Sequence, residues 1–218
     1  MPCEECGPKS TVVISGAGKY VEGELLKVAG SARADGDINV KRASVAGSLS
    51  VGGELSAEEL SVAGSLSASS IQGGKVSVAG AISVRGELSA TEFKAAGGVR
   101  VREVKADLVK VGGGIRAERI EGREIRIEIG GKSKVGEIKG DFIEIKRKLG
   151  LMDLLLSSRR RLYAKRIEGR VVYLRGVICD EVIGDKVYIG RGCRIGKVIY
   201  RESLKVSPSA KVGQTVRE

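Results

Sequence analysis

The chain has 218 residues, 42% hydrophobic and 30% charged, with 32 glycines, 3 prolines, no tryptophan and no histidine. The missing histidine excludes Ser-His-Asp and Cys-His nucleophilic sites, His-ligated metals and the His base of many acyltransferases, so the chain reads as a non-enzyme. The formal charge of +11 is lopsided: residues 147–218 hold 17 basic and 7 acidic residues (net +10), against 21 and 20 (net +1) in residues 1–146.

In chain order, Met1–Ser10 lacks the apolar core of a signal peptide and reads as a flexible tail. It carries Cys3-Glu-Glu-Cys6, a lone C-x-x-C. A structural zinc site takes four ligands, so Cys3 and Cys6 bind metal only if two chains share it; the competing reading is an unoccupied end. No apolar run approaches the roughly 20 residues of a transmembrane helix, so the expected place is the cytoplasm, with its cysteines reduced. Gly7-Pro-Lys-Ser-Thr11 and Gly16-Ala-Gly-Lys19 fall short of G-x-x-x-x-G-K-[ST]. They read as corner glycines, and neither nucleotide nor any other cofactor is expected.

An internal repeat decides the fold. Val28-Ala-Gly-Ser31 recurs at Val45, Val62 and Val78, then decays through Ala95 and Val111, with spacings of 17, 17, 16, 17 and 16 residues. Within one period the apolar residues come as i, i+2 pairs: Leu49/Val51, Leu55/Ala57 and Leu60/Val62, then Ile82/Val84, Leu88/Ala90 and Phe93/Ala95. Residues i and i+2 of a strand share a face, so each pair points one way and the residue between points the other. Three such strands per ~17 residues, joined by polar or Gly corners, make one coil of a parallel β-helix. Third-strand ends at 28, 45, 62, 78, 95, 111, 127, 145, 174, 189 and 206 give about eleven coils of an all-β solenoid. At ~4.8 Å per coil, that is a rod on the order of 50 Å long.

The first segment spans 11–147, the second and more basic one 162–213, with a tail at 214–218. Between them the spacing jumps to 29, and the surplus falls on 148–161. This insertion, read as a corner excursion or short helix, sets Leu151, Met152, Leu154 and Leu155 beside Arg159, Arg160 and Arg161. An apolar face next to a basic cluster suits a membrane surface or a partner, or a helix packed on the rod. Cys179 and Cys193 fall on inward positions and read as core. Ile183-Gly, Ile189-Gly and Ile195-Gly imitate the hexapeptide repeat of left-handed β-helix acyltransferases, but three hexads span only one coil and the His base is absent.

The Val-x-Gly coils at 28–114, the ending Ile183-Gly-Asp-Lys-Val-Tyr-Ile-Gly-Arg-Gly-Cys-Arg-Ile195, Ile14-Ser-Gly-Ala-Gly-Lys-Tyr20 and Ile167-Glu-Gly-Arg170 resemble the bactofilins, the polymer-forming cytoskeletal family. The resemblance covers roughly 11–213. It implies a right-handed β-helix that stacks end to end into nucleotide-free filaments. It also implies a scaffold role for envelope, shape or chromosome-organising partners. The almost tail-less chain and the mid-chain insertion depart from the usual single, shorter solenoid between tails.

The end coils are expected to mediate self-assembly, through Val12 and Ile14 at one end and Leu204, Val206 and Val212 at the other, because an end coil exposes an unpaired edge. The alternative is a basic adaptor for an anionic membrane or for nucleic acid held by non-specific phosphate contact.

Overall fold

A computed structural model describes residues 11–13, 17–18, 21–147 and 161–218. Among these, eleven strands and no helix follow in chain order: β1 (Thr11–Val13), β2 (Ala17–Gly18), β3 (Val21–Ala34), β4 (Ile38–Val51), β5 (Glu54–Ala68), β6 (Ser70–Ile129), β7 (Ser133–Arg147), β8 (Leu162–Leu174), β9 (Val177–Ile189), β10 (Arg194–Val206) and β11 (Lys211–Arg217). They form one sheet in which β1 and β3 through β11 pair in sequence and β2 lies beside β3. All of the strand pairings are parallel, as in β4 on β5 and β8 on β9. The chain is a β-solenoid of about 11 turns, roughly 17 residues apart. The 60-residue β6 winds through several coils without a break, since its corners also pair with neighbouring coils, as Gly80 does with Gly64.

The inward pairs build the core. Leu49/Val51, Leu55/Ala57 and Leu60/Val62 are all buried, while Ser50 and Ser61 between them are exposed. Ile82/Val84, Leu88 and Phe93/Ala95 repeat the pattern two coils on, with Ala90 partly covered. Each coil therefore has three walls, a first (such as Leu55–Ala57), a second (Leu60–Val62) and a third (Leu66–Ala68). Burying each Val, Leu or Ile contributes about 1.5–3 kcal/mol, and a one-residue slip would turn that set to solvent.

The corner after the second wall is set by backbone sterics. Gly30, Gly47, Gly64, Gly80, Gly97 and Gly113 stack there with φ between 95° and 145°. At Gly64 a Cβ would collide with the carbonyl oxygen of Gly47 one coil away. Positive φ and this close approach together explain the Val-x-Gly repeat.

Register survives the insertion. Ser133–Val135 pair with Leu162–Ala164 and Phe142–Ile145 with Val171–Leu174, so the segments on either side of residues 148–160 belong to one continuous sheet. One irregularity precedes it, where β6 and β7 pair at an offset of 18 residues. The hydroxyl of Ser133, the one buried polar side chain among the described residues, accepts the Ile115 N–H there at 3.3 Å. The expected tail at 214–218 is corrected: β11 runs to Arg217, and Gln214–Arg217 pair with Lys197–Tyr200. That pairing satisfies backbone groups of β10 that a free tail would leave open.

Two pairs of substitutions test this frame by thermal or urea unfolding. Val62→Asp should cost more than about 3 kcal/mol by placing an unpaired charge in the core, whereas Ser61→Asp, facing water, should change stability by less than about 1 kcal/mol. Gly64→Ala should cost more than about 2 kcal/mol, while Gly98→Ala, whose Cβ would meet nothing within 4 Å, should be neutral or slightly stabilising.

Candidate functional site: the ends and outer walls of the rod

The third-strand ends locate the open end of the solenoid. Val28, Val45, Val62, Val78, Ala95, Val111, Ile127, Ile145, Leu174 and Ile189 are all buried. Val206, the next in the column, is 42% exposed. Leu204 and Val212 are half-buried against the core. Among the described residues β11 pairs only with β10, so its other edge leaves N–H and C=O groups unpaired by strand. At the opposite end Val12 lies in β1 opposite Leu26, in line with Ala43 and Leu60. Ile14 lies outside the described residues. Leu204, Val206 and Val212 are thus brought together, and Val12 is placed at the far end of the rod.

Cys3 and Cys6 lie outside the described residues, as do Leu151, Met152, Leu154, Leu155, Arg159 and Arg160. Arg161 is described: it is half-buried at the corner leading into β8. Among the described residues no group of three or more His, Cys, Asp or Glu is placed to hold a metal ion, and no helix is long and apolar enough to cross a membrane. Ile189 and Ile195 are core residues but Ile183 is not, so the three hexads occupy unequal positions.

Stacking turns single residues into columns. After the first wall, Gly122, Gly140, Gly169 and Gly184 lie one above another and form the bare floor of an open groove of about 500 Å³. Its rim alternates in sign: Arg123 meets Asp107 at 3.0 Å, Arg170 meets Asp141 at 3.1 Å and Arg201 meets Asp185 at 3.6 Å. Lys105 with Glu87 and Lys186 with Glu202 do the same nearby, each at 3.1 Å. Hydrogen bonding to Glu87 and to Glu202 holds these two ammonium groups above the usual lysine range. Exposed pairs of this kind add little stability singly, but they cancel the repulsion that stacked like charges would produce.

The second wall carries a feature that reasoning from sequence missed. Tyr173 and Tyr188 stack with centroids 4.3 Å apart and planes 10° from parallel, and Phe142 leans on Tyr173 at 5.8 Å. Arg126 sits over Phe142 and Lys205 over Tyr188, each 5.6 Å from the ring centre. The signal was present: each tyrosine occupies the outward position between an inward pair, Val172/Leu174 and Val187/Ile189. Such ring stacking and cation–π contact tie adjacent coils together.

Cys179 and Cys193 are free and buried. Burial pushes the Cys179 thiol up to about 12, and its S–H donates to the Glu181 carbonyl at 3.1 Å. Burial raises the Cys193 thiol too. Both should resist alkylation at pH 8 in the folded protein and react on unfolding, because the thiolate is the nucleophile. Rapid native-state labelling, read by mass spectrometry, would contradict their place in the core.

With the solenoid, its open end and its outer columns described, the chain was compared with known proteins: no family model, curated protein or solved structure matches it.

Proposed function

We propose that this chain is a structural protein, bactofilin-like in kind, that self-assembles end to end into nucleotide-independent filaments and serves as a cytoskeletal scaffold. The observation that carries the reading is the exposure of Val206 in a column whose ten preceding members are buried. A second copy seated on this end would cover Val206 and the half-covered Leu204 and Val212, and would pair the free edge of β11. At the start of the rod β1 places Val12 opposite Leu26, in the neighbouring column of the same wall, the one that ends in Leu204. Both gains come from parallel pairing plus apolar burial, the terms that join one coil to the next inside the subunit. On this reading the chain is not an enzyme.

Electron microscopy of the purified chain without nucleotide should show unbranched filaments with an axial repeat on the order of 50 Å per subunit. Val206→Lys and Val212→Lys should shift sedimentation towards monomer while leaving the circular dichroism β-rich. Assembly should persist at salt concentrations that abolish phosphate contacts. A parent protein that stays monomeric at high concentration across all salts would sink the reading.

A further inference from the structure

We propose that the third wall, over the C-terminal coils, is a docking surface for an anionic lipid bilayer. Its outward column runs Arg33, Ser50, Ser67 and Ser83 through the early coils. The stacking of Gly80, Gly97 and Gly113 carries the column on through Arg100 to Arg116. It then continues as Lys134, Tyr163, Ile178, Arg194 and Lys211. The charged positions from Arg100 onward are exposed and all of one sign.

The contrast with the first wall carries the inference. There, and along the corner beside it, cations alternate with carboxylates in ion pairs, as Arg123 does with Asp107 and Lys105 with Glu87. On the third wall none of Arg100, Arg116, Lys132, Lys134, Arg194 and Lys211 has an ion-pair partner among the described residues. Arg116 and Lys134 are direct register partners, so like charges sit about one strand spacing apart, ~4.8 Å. A column of like charge destabilises the free rod, and an apposed sheet of negative charge relieves that repulsion.

Shape and composition favour a lipid surface over nucleic acid. The column follows the rod axis on a wall of parallel strands, so a planar surface can meet its cations together, whereas a duplex backbone curves away from a straight row. Tyr163 is 51% exposed, and Ile178 beside it is half-buried. These two interrupt the cations between Lys134 and Arg194, where an amphipathic ring suits the headgroup layer. A single tyrosine offers almost no track for stacked bases. The proposal does not rest on filament formation, but in a polymer each subunit would add its own row of contacts and strengthen adhesion.

The full chain should co-sediment with vesicles of phosphatidylcholine and phosphatidylserine and not with vesicles of phosphatidylcholine alone. The triple variant Arg100→Ser, Arg116→Ser, Lys134→Ser places in the later coils the residue that the early coils use. It should lower the partition coefficient roughly 100-fold, at roughly fivefold per cation. The control triple Lys105→Ser, Arg123→Ser, Arg170→Ser removes the same charge from ion-paired positions and should lower it far less. If the first triple fails to fold by circular dichroism, Arg116→Ser alone should show the fivefold loss. Equal losses in the two triples, no loss in the first, or displacement from vesicles by a single-stranded oligonucleotide of higher affinity would each overturn the proposal.

Discussion

In-register parallel pairing sets each residue about 4.8 Å above its counterpart in the preceding coil, so a side chain that suits one position must suit a stack of its own kind. Inside, that constraint favours columns of Val, Ile and Leu, which interdigitate without polar atoms to satisfy. At the corner after the second wall it favours glycine, because the carbonyl of one coil occupies the space where the next would place a Cβ. Outside, it makes charge a collective property. A lone exposed ion pair matters little, whereas the sign pattern of a whole column decides whether the rod attracts or repels along its length.

The outer surface therefore divides by function more than by composition. The glycine-floored groove is rimmed by Asp107, Arg123, Asp141, Arg170, Asp185 and Arg201, whose ion pairs settle their charges within the chain. The second wall is bound by its own aromatic stack between Arg126 and Lys205. Along the third wall the stacked cations Arg100, Arg116 and Lys134 have no ion-pair partner among the described residues, whereas in the second-wall column Lys94 and Arg126 are held by Glu92 and Glu124. The C-terminal end differs again, since it exposes Val206 and the unpaired edge of β11.

Much of this was legible in the order of residues because a solenoid converts sequence spacing directly into position. Val28, Val45 and Val62 lie 17 apart and sit in one column. The same arithmetic placed Val206 at the end of that column before its exposure was known. What escaped was which outward residues the spacing of the coils brings into contact. The step of 18 residues at Ser133 and of 15 between Tyr163 and Ile178 decides which outward residues meet. A net charge of +10 over residues 147–218 thus hid that Arg166, Arg170, Lys186 and Arg201 there are paired, and that the unpaired row begins earlier, at Arg100. Gln214–Arg217 looked like a tail because their alternation is weak; the exposed edge of β10 recruits them through backbone bonds that no side-chain pattern announces.

The unbroken register across residues 148–160 has a consequence for how such a rod can be elaborated. Ile145 and Leu174 are stacked neighbours although 29 positions separate them in the chain. A corner that absorbs surplus chain in this way acts as a port: material can leave and return there while the wall above and below keeps its alignment. The entropy of closing a longer loop rises only by about 0.6 kcal/mol per doubling. Cargo grafted at this corner would recur once per subunit, on one edge of the rod, and any end-to-end assembly would become a regularly spaced array.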